Sequence, residues 1–540
     1  MPNAIAEVWT ILREMNGASS VIYACLVSFS CGIVVYLIYG RESAKAPRPP
    51  LPPGPKPLPL LGNLLDMPVV ALCVKYAEWG EKYGDVVHVR ALGKHIIILN
   101  SYKAATELLH QRGSIHSSRP QTPMVHDPRL MDMDWSFVMK PYGSSWKQHR
   151  RLVVQHLGPA LAGSLYTVQT ESAYQLVKSV LDEPDSFEAH LRHAIGRVIL
   201  GVSYGLKLQL SNDPHVAMAE KMTRLAGEGL EPKFLVNVFP FMKYIPEWMP
   251  GAGFRRLAAA ARRATQELLD APFEATKKEI AAGSTTQSFV RNALTETMDD
   301  SDANAQLLED IKHVAGSMYA AGTDTTMAPI HQLFAVLVVF PNVQHRAQEE
   351  LDHIIGGADS PSFRLPTFDD RPNLPYIEAL LKEVLRWTPG IGSGMPHLSI
   401  KEDIYRGWRI PKGSIIFANS WGILKDENVY PDPYVFRPER FLPNENNTVQ
   451  PDPTAAFGFG RRACPGKHLA ESSLFIDIAC LLAAFEFLPL KDKDGKDIDL
   501  KYVFEPGSGF ILRPPAFSCT IRPRSNITER VVRDLEVMNG

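Results

Sequence analysis

The alternation of charged and apolar positions marks three stretches of chain. Residues 18–40 carry no charged side chain over 23 positions and are rich in Val, Ile, Leu, Tyr, Phe and Cys. About 20 apolar residues cross a hydrocarbon core of about 30 Å, so this run predicts a transmembrane helix. It is too long for the apolar part of a signal peptide, and its bulky end at 33–39 lacks the small residues of a cleavage site. Arg41, Lys45, Arg48 and Lys56 follow it, whereas Glu7, Arg13 and Glu14 precede it. Positive charge stays on the cytosolic side, which puts residues 1–17 in the lumen and the bulk of the chain in the cytosol. Residues 41–63 form a basic and proline-rich linker, in which eight of the thirteen residues 47–59 are proline. Such a segment behaves as a semi-rigid spacer.

Beyond the linker, helical periodicity dominates. Helices are expected over 255–282, 307–339 and 376–387, the second about 45 Å long at about 1.5 Å per residue. Strand signals are fewer. Residues 86–99 carry β-branched runs, 404–418 reads as a hairpin about Pro411-Lys412-Gly413, and 504–514 reads as a turn between short strands. The fold class is mainly α with a minor β region.

Composition narrows the function. The 540 residues hold 57 Lys+Arg against 59 Asp+Glu, a net charge of −2. Nucleic acid as the main partner is excluded, because phosphate neutralisation needs a basic excess. At 45% hydrophobic and 21% charged residues, most of the chain is not disordered. No linker or repeat divides it after residue 60, so 64–525 reads as one body with a tail at 526–540. Six scattered cysteines without a CxxC pair favour neither a disulfide scaffold nor a zinc module. The glycosylation sequons at Asn446 and Asn526 would be cytosolic and are chance matches.

Candidate chemistry concentrates in Phe457-Gly458-Phe459-Gly460-Arg461-Arg462-Ala463-Cys464-Pro465-Gly466. The glycines permit tight turns and close approach of a ligand, and a helix pattern begins just after Cys464. A cysteine at that junction faces free N–H groups and the positive end of a helix dipole, which favour thiolate. Cys73, Cys480 and Cys519 read instead as small buried hydrophobes. The segment 458–463 also matches a GxGxxA dinucleotide fingerprint, but no hydrophobic strand precedes it and no ribose-binding acid follows. Nicotinamide binding is rejected here.

With Phe457, Gly460, Arg462, Cys464 and Gly466 satisfying FxxGxRxCxG, the chain resembles the cytochrome P450 superfamily of heme-thiolate monooxygenases over about 47–515. The resemblance implies heme b, with Cys464 as axial iron ligand and Arg462 paired with a heme propionate. A thiolate ligand favours O–O cleavage. Trp146-Lys147-Gln148-His149-Arg150 resembles the family's WxxxR element, implying that Trp146 and Arg150, with His397, contact propionates. Ala321-Gly322-Thr323-Asp324-Thr325-Thr326 resembles its oxygen-activating segment: Thr325 would hydrogen-bond dioxygen and Asp324 relay protons. Gly322 and the missing N–H of Pro329 predict a local helix distortion around 322–326. Glu383 and Arg386, three apart on one helix, are neighbours. With Arg440 of a PERF-like element, the resemblance makes them a structural charged triad.

By family position the substrate pocket is lined from 122–137, 314–325, 389–395 and 507–511. Met124, Met131, Met133, Trp135, Phe137, Ala321, Ile391, Met395 and Phe510 offer an apolar, adaptable lining. No flavin or nicotinamide motif is present, so electrons from NADPH must arrive through a partner, which the resemblance implies is NADPH–cytochrome P450 reductase at the endoplasmic reticulum membrane. Lys147, Arg151, Arg461 and Lys467 read equally as its basic docking face or as solvated charges. The segments 396–400 and 419–421 resemble fungal members of the O-methylsterigmatocystin oxidoreductase type. That suggests oxidation of a terpenoid or polyketide intermediate in secondary metabolism. Two rivals share Cys464: an oxygen-independent heme-thiolate isomerase or dehydratase, and a non-enzymatic heme sensor.

Overall fold

The computed structural model describes residues 28–29, 32, 48–68, 71–209, 213–231, 233–297, 304–504 and 511–535. The transmembrane run expected at 18–40 lies outside these residues except for Ser28, Phe29 and Gly32, and Phe510 lies outside them too. Among the described residues, no single helix is long and apolar enough to cross a membrane. The chain divides into two compact units. One comprises Met1–Leu51 with Ile404–Arg409, in which the Arg409 N–H donates to the Pro50 carbonyl at 2.8 Å. The other, Pro52–Asp403 with Ile410–Gly540, carries the site chemistry.

In the larger unit, the helix Asn304–Val339 runs through the core. Its neighbours are close enough to demand glycine. A Cβ on Gly322 would meet Ile199 of the Phe187–Tyr204 helix at 2.8 Å, and one on Gly316 would collide with Leu269 of the Gly253–Ala281 helix. The helix Lys467–Ala484 is buried at every position from Ser472 to Ala484. A helix apolar on all faces belongs in the middle of a large core. The expected helices at 255–282, 307–339 and 376–387 therefore appear as Gly253–Ala281, Asn304–Val339 and Pro375–Trp387.

The β part is small. Strands β1 (Val86–Ala91) and β2 (Lys94–Leu99) pair antiparallel across Leu92-Gly93, both at positive φ. The sheet continues through β6 (Ile415–Ala418), parallel to β2, to β3 (His397–Leu398). Strands β4 (Asp403–Tyr405) and β5 (Trp408–Ile410) form a hairpin, and β7 (Phe485–Leu488) pairs with β8 (Thr520–Pro523).

Two strand expectations are corrected. The 404–418 hairpin turns at Arg406-Gly407 (φ 49° and 82°), not at Pro411–Gly413, because the strand after Gly413 pairs with β2. The central helix runs on through Pro329 as one element, so the missing N–H does not end it. Side chains from Met327 to Leu337 are buried almost without interruption, and that packing holds the helix across the missing hydrogen bond. Residues 511–514 form no strand.

One buried charge makes stability depend on pH. Asp477 sits inside the Lys467–Ala484 helix, and burial pushes its carboxyl from 3.8 up to about 8. Between those values the folded chain holds a proton that the unfolded chain releases, so stability falls as pH rises through this window. Asp477→Asn should raise the melting temperature at pH 8, with a gain on the order of 2 kcal/mol that shrinks towards pH 4. Thermal melts across that range check it; a pH-independent difference would contradict it.

Candidate functional site

The loop before the Lys467–Ala484 helix is folded by its own backbone. The Cys464 N–H donates to the Phe457 carbonyl at 2.8 Å and the Ala463 N–H to that of Gly460 at 3.1 Å. Gly460 sits at φ +59°, where a Cβ would collide with the Leu109 carbonyl oxygen. Cys464 retains accessible surface although protein surrounds it, and the Gly466 N–H and the Arg150 guanidinium face it. Burial nevertheless outweighs both and raises the thiol above 9.0. The dipole argument alone pointed the other way. A bound cation reverses the balance, because a coordinating thiol is deprotonated outright.

Around this thiol, which also feels the Glu471 carboxylate, the structure gathers arginines that bond to carbonyls. Arg462 donates to the carbonyls of Ser117 (2.8 Å), Phe137 (3.3 Å) and Lys140 (2.7 Å), and its guanidinium lies 4.3 Å from the Trp146 ring centre. Arg150 donates to the Ala463 carbonyl at 2.8 Å. Arg119 donates to Val138, Met395 and Pro396 carbonyls at 3.1, 3.2 and 2.7 Å. Among the described residues none of the three meets a carboxylate. Burial and mutual repulsion lower Arg462 to about 8, and burial lowers Arg119 to about 10. His397 is buried with its Nδ1 2.8 Å from the His116 carbonyl oxygen, which assigns the proton to Nδ1. Burial, with Arg119 and Arg462 nearby, holds it neutral.

Buried charges require partners. Three guanidiniums whose hydrogen bonds go only to carbonyls, beside a thiol, suit a dianionic ligand that brings its own metal. The two propionates and iron of heme b meet that description.

Across the site, Ala321 keeps exposed surface in the middle of the buried helix. The Thr325 hydroxyl donates to the Ala321 carbonyl at 2.7 Å, and Asp324 pairs with Arg513 at 2.5 Å. Asp324 also lines a cavity of about 10 Å³ with Thr323, Tyr319, Arg192 and Glu220, about enough for one water. Gly390 packs against the Thr325 carbonyl, where a Cβ would stand 3.1 Å away. Met133 and Phe137 are buried, Ile391 and Met395 half-buried, and the Phe137 N–H donates to Ser317 Oγ at 3.3 Å.

Glu383, Arg386 and Arg440 meet with their side chains fully buried. Arg386 Nε and Nη2 donate to Glu383 at 2.7 and 2.8 Å, and Arg440 Nε lies 3.0 Å from the same carboxylate. The Arg437 N–H adds a bond at 2.8 Å. On the surface, Lys147 and Arg461 both lean on the Tyr142 ring, at 5.4 and 5.3 Å.

Arg119 and Arg513 were not foreseen. For Arg119 a signal existed: no acidic residue lies within seven positions on either side. Such an arginine has no local partner and must find one elsewhere.

A helical body that offers a cysteine from a glycine-bearing loop beside acid-seeking arginines belongs to the thiolate-ligated heme enzymes. The family profile of Cytochrome P450 matches residues 52–519. Cytochrome P450 monooxygenase ple1 of Rhodocybe pseudopiperita is 39% identical over 92% of this chain and 94% of its own length. Cytochrome P450 monooxygenase 98 of Postia placenta is 37% identical over 98% and 99%. Tryptamine 4-monooxygenase of Psilocybe cyanescens is 35% identical over 93% and 97%. The chain belongs to the cytochrome P450 family. It is an oxygen-incorporating oxidoreductase that uses heme b with electrons from a reductase partner.

Proposed function

We propose that the protein is a membrane-anchored monooxygenase of fungal secondary metabolism that hydroxylates a lipophilic terpenoid or polyketide intermediate. The observation carrying the catalytic part is the carbonyl-bound arginine cluster beside Cys464. In this reading Cys464 supplies the thiolate to iron, and Arg462, Arg150, Trp146 and His397 hold the propionates, with Arg119 added by its geometry. An anion beside His397 favours the imidazolium, whose Nε2–H is then free to donate. Phe457 and Gly466 shape the loop around the thiolate. The heme supplies oxygen activation; one oxygen atom enters a C–H bond and the other leaves as water.

The chain's own residues handle the protons. Thr325 gives up its bond to Ala321 to orient oxygen, and Asp324, next to a cavity sized for one water, passes protons inward. Thr325→Ala should divert electrons into peroxide and lower product per NADPH several-fold with the heme spectrum unchanged. Peroxide and product assays read this out, and unaltered coupling would refute the role.

The substrate class rests on the apolar lining at Met133, Phe137, Ala321, Ile391 and Met395. The name of the Psilocybe relative assigns that protein tryptamine, so aromatic amines stand as the comparison class. Membrane attachment is supported by the run 18–40 and by segment 235–249, which exposes Leu235, Phe239, Phe241, Tyr244 and Trp248, the last 79% accessible. The Lys147–Arg461 face suits the acidic surface of NADPH–cytochrome P450 reductase. The oxygen-independent and sensor readings are not favoured: all three relatives are named monooxygenases. Incubation with reductase, NADPH and ¹⁸O₂ tests the whole. Labelled product from a terpenoid or polyketide supports it, and NADPH-independent conversion sinks it.

A further inference from the structure

We propose that Asp403 is a positioning residue for the heme propionates, acting through the turn Gly113–His116 on His397. The inference deepens the monooxygenase reading and rests on its assignment of His397 to a propionate. Asp403, at the start of β4, accepts from Arg112 Nη1 at 2.9 and 3.0 Å, and its Oδ2 also lies 2.9 Å from His116 Nε2. The His116 side chain is fully buried, and that of Asp403 is 13% accessible. Burial lowers the His116 ring further than Asp403 raises it, so the ring is neutral with its proton on Nε2. Burial raises the Asp403 carboxyl, but the bonds from His116 and Arg112 outweigh it and keep the group ionised. His116 Nδ1 has no hydrogen-bond partner, so the polar grip on this ring comes from Asp403.

Residues 112 and 116 are four apart and lie on one face of the turn. A carboxylate that holds both fixes the rotation of the turn about its own axis, and that rotation sets the direction of the carbonyls it presents. Four successive carbonyls are committed. Those of Ile115 and Ser118 accept from the backbone N–H groups of Ile400 and Leu398, at 3.0 and 2.8 Å. Those of His116 and Ser117 accept from His397 Nδ1 and Arg462 Nε, both at 2.8 Å. Arg462 bonds to two further carbonyls away from this turn, those of Phe137 and Lys140. His397 has no such reserve: among the described residues, the His116 carbonyl is the hydrogen-bond partner of its side chain. A rotated turn therefore falls first on His397.

Fixing Nδ1 fixes where Nε2 of the same ring points. Partners that orient the ligands of a bound group commonly change its affinity by about 10–100-fold, and hydrogen bonding around heme also sets its reduction potential. A donor on a propionate offsets negative charge near the iron. Losing its aim leaves that charge uncompensated and favours the ferric state.

Midpoint potential, from reductive titration of the heme-loaded enzyme, and heme loss to excess apomyoglobin are the measurements. Asp403→Ala should move the potential to more negative values and speed heme loss about tenfold. Asp403→Asn, whose amide oxygen still accepts from one partner, should be intermediate, and it carries the comparison if Asp403→Ala holds no heme. On a His397→Ala background the same Asp403 change should move the potential by less than about half as much, because residues that act through one another are not additive. Asp352→Ala breaks another two-bond ion pair, with Arg524 at 2.7 and 2.8 Å, and should leave the potential where it is. An unshifted potential in both Asp403 variants, an equal shift on the His397→Ala background, or the same shift in Asp352→Ala would overturn the positioning role alone. Potential and heme loss both unchanged in His397→Ala by itself would instead remove His397 from the propionate, and the role of Asp403 with it.

Discussion

Glu383→Ala is expected to yield protein that retains little or no heme. Two guanidiniums, Arg386 and Arg440, share the Glu383 carboxylate with no side-chain exposure on any of the three. Breaking a buried ion pair by removing one partner costs about 3–5 kcal/mol, since the remaining charge is left buried and unpaired. Here two charges are orphaned, and the Arg437 N–H loses its acceptor as well. The damage spreads along defined bonds. Arg386 also donates to the Leu424 carbonyl at 3.0 Å, and Arg440 to the Pro431 carbonyl at 3.0 Å and to Gln450 at 2.9 Å. The triad thus ties the Pro375–Trp387 helix to the segment that precedes the Cys464 loop. Heme-to-protein ratio of the purified variant is the measurement, with Glu383→Gln intermediate because its amide oxygen still accepts hydrogen bonds. A normal ratio and an unchanged carbon monoxide spectrum in Glu383→Ala would contradict the structural role.

What could be read from the chain follows physical lines. Long helices declared themselves because apolar spacing persists over many turns, as in Asn304–Val339. The Cys464 loop was legible because glycine spacing around a cysteine before a helix is a local pattern. Glu383 and Arg386 were legible as a pair because helix geometry alone makes them neighbours. The failures are tertiary. Arg406 takes the left-handed conformation, a role seldom given to arginine, so the proline and glycine at 411–413 drew the turn to the wrong place. Pro329 removes a hydrogen bond, yet the helix continues through it because the residues on both sides are buried. The Cys464 thiol looked activated by its helix, yet burial, invisible in a local pattern, is the larger influence. Arg119 and Arg462 come together across 343 positions of chain, and nothing in either neighbourhood announces the other.

In Cys464→Ala, heme should still bind but the thiolate signature and the monooxygenation should vanish to background. The two halves of the site are separable in this structure. Arg119, Arg150 and Arg462 are oriented by carbonyls of 117, 137–140, 395–396 and 463, and none of those bonds passes through the sulfur. Removing the thiol leaves their demand for an anion intact, so propionate capture persists. Cys73, Cys480 and Cys519 are buried and raised by that burial, to about 11 in Cys73 and to about 12 in Cys519, so none of them replaces the ligand. Arg462→Leu should do the reverse. It removes the guanidinium stacked on Trp146 and lowers heme content, while the fraction that is loaded keeps the thiolate spectrum. Heme stoichiometry and the carbon monoxide difference spectrum, measured together on both variants, discriminate. Thiolate-type absorption persisting in Cys464→Ala would place the iron ligand elsewhere. Unchanged heme content in Arg462→Leu would mean that the carbonyl-bound arginine cluster answers to some other anion.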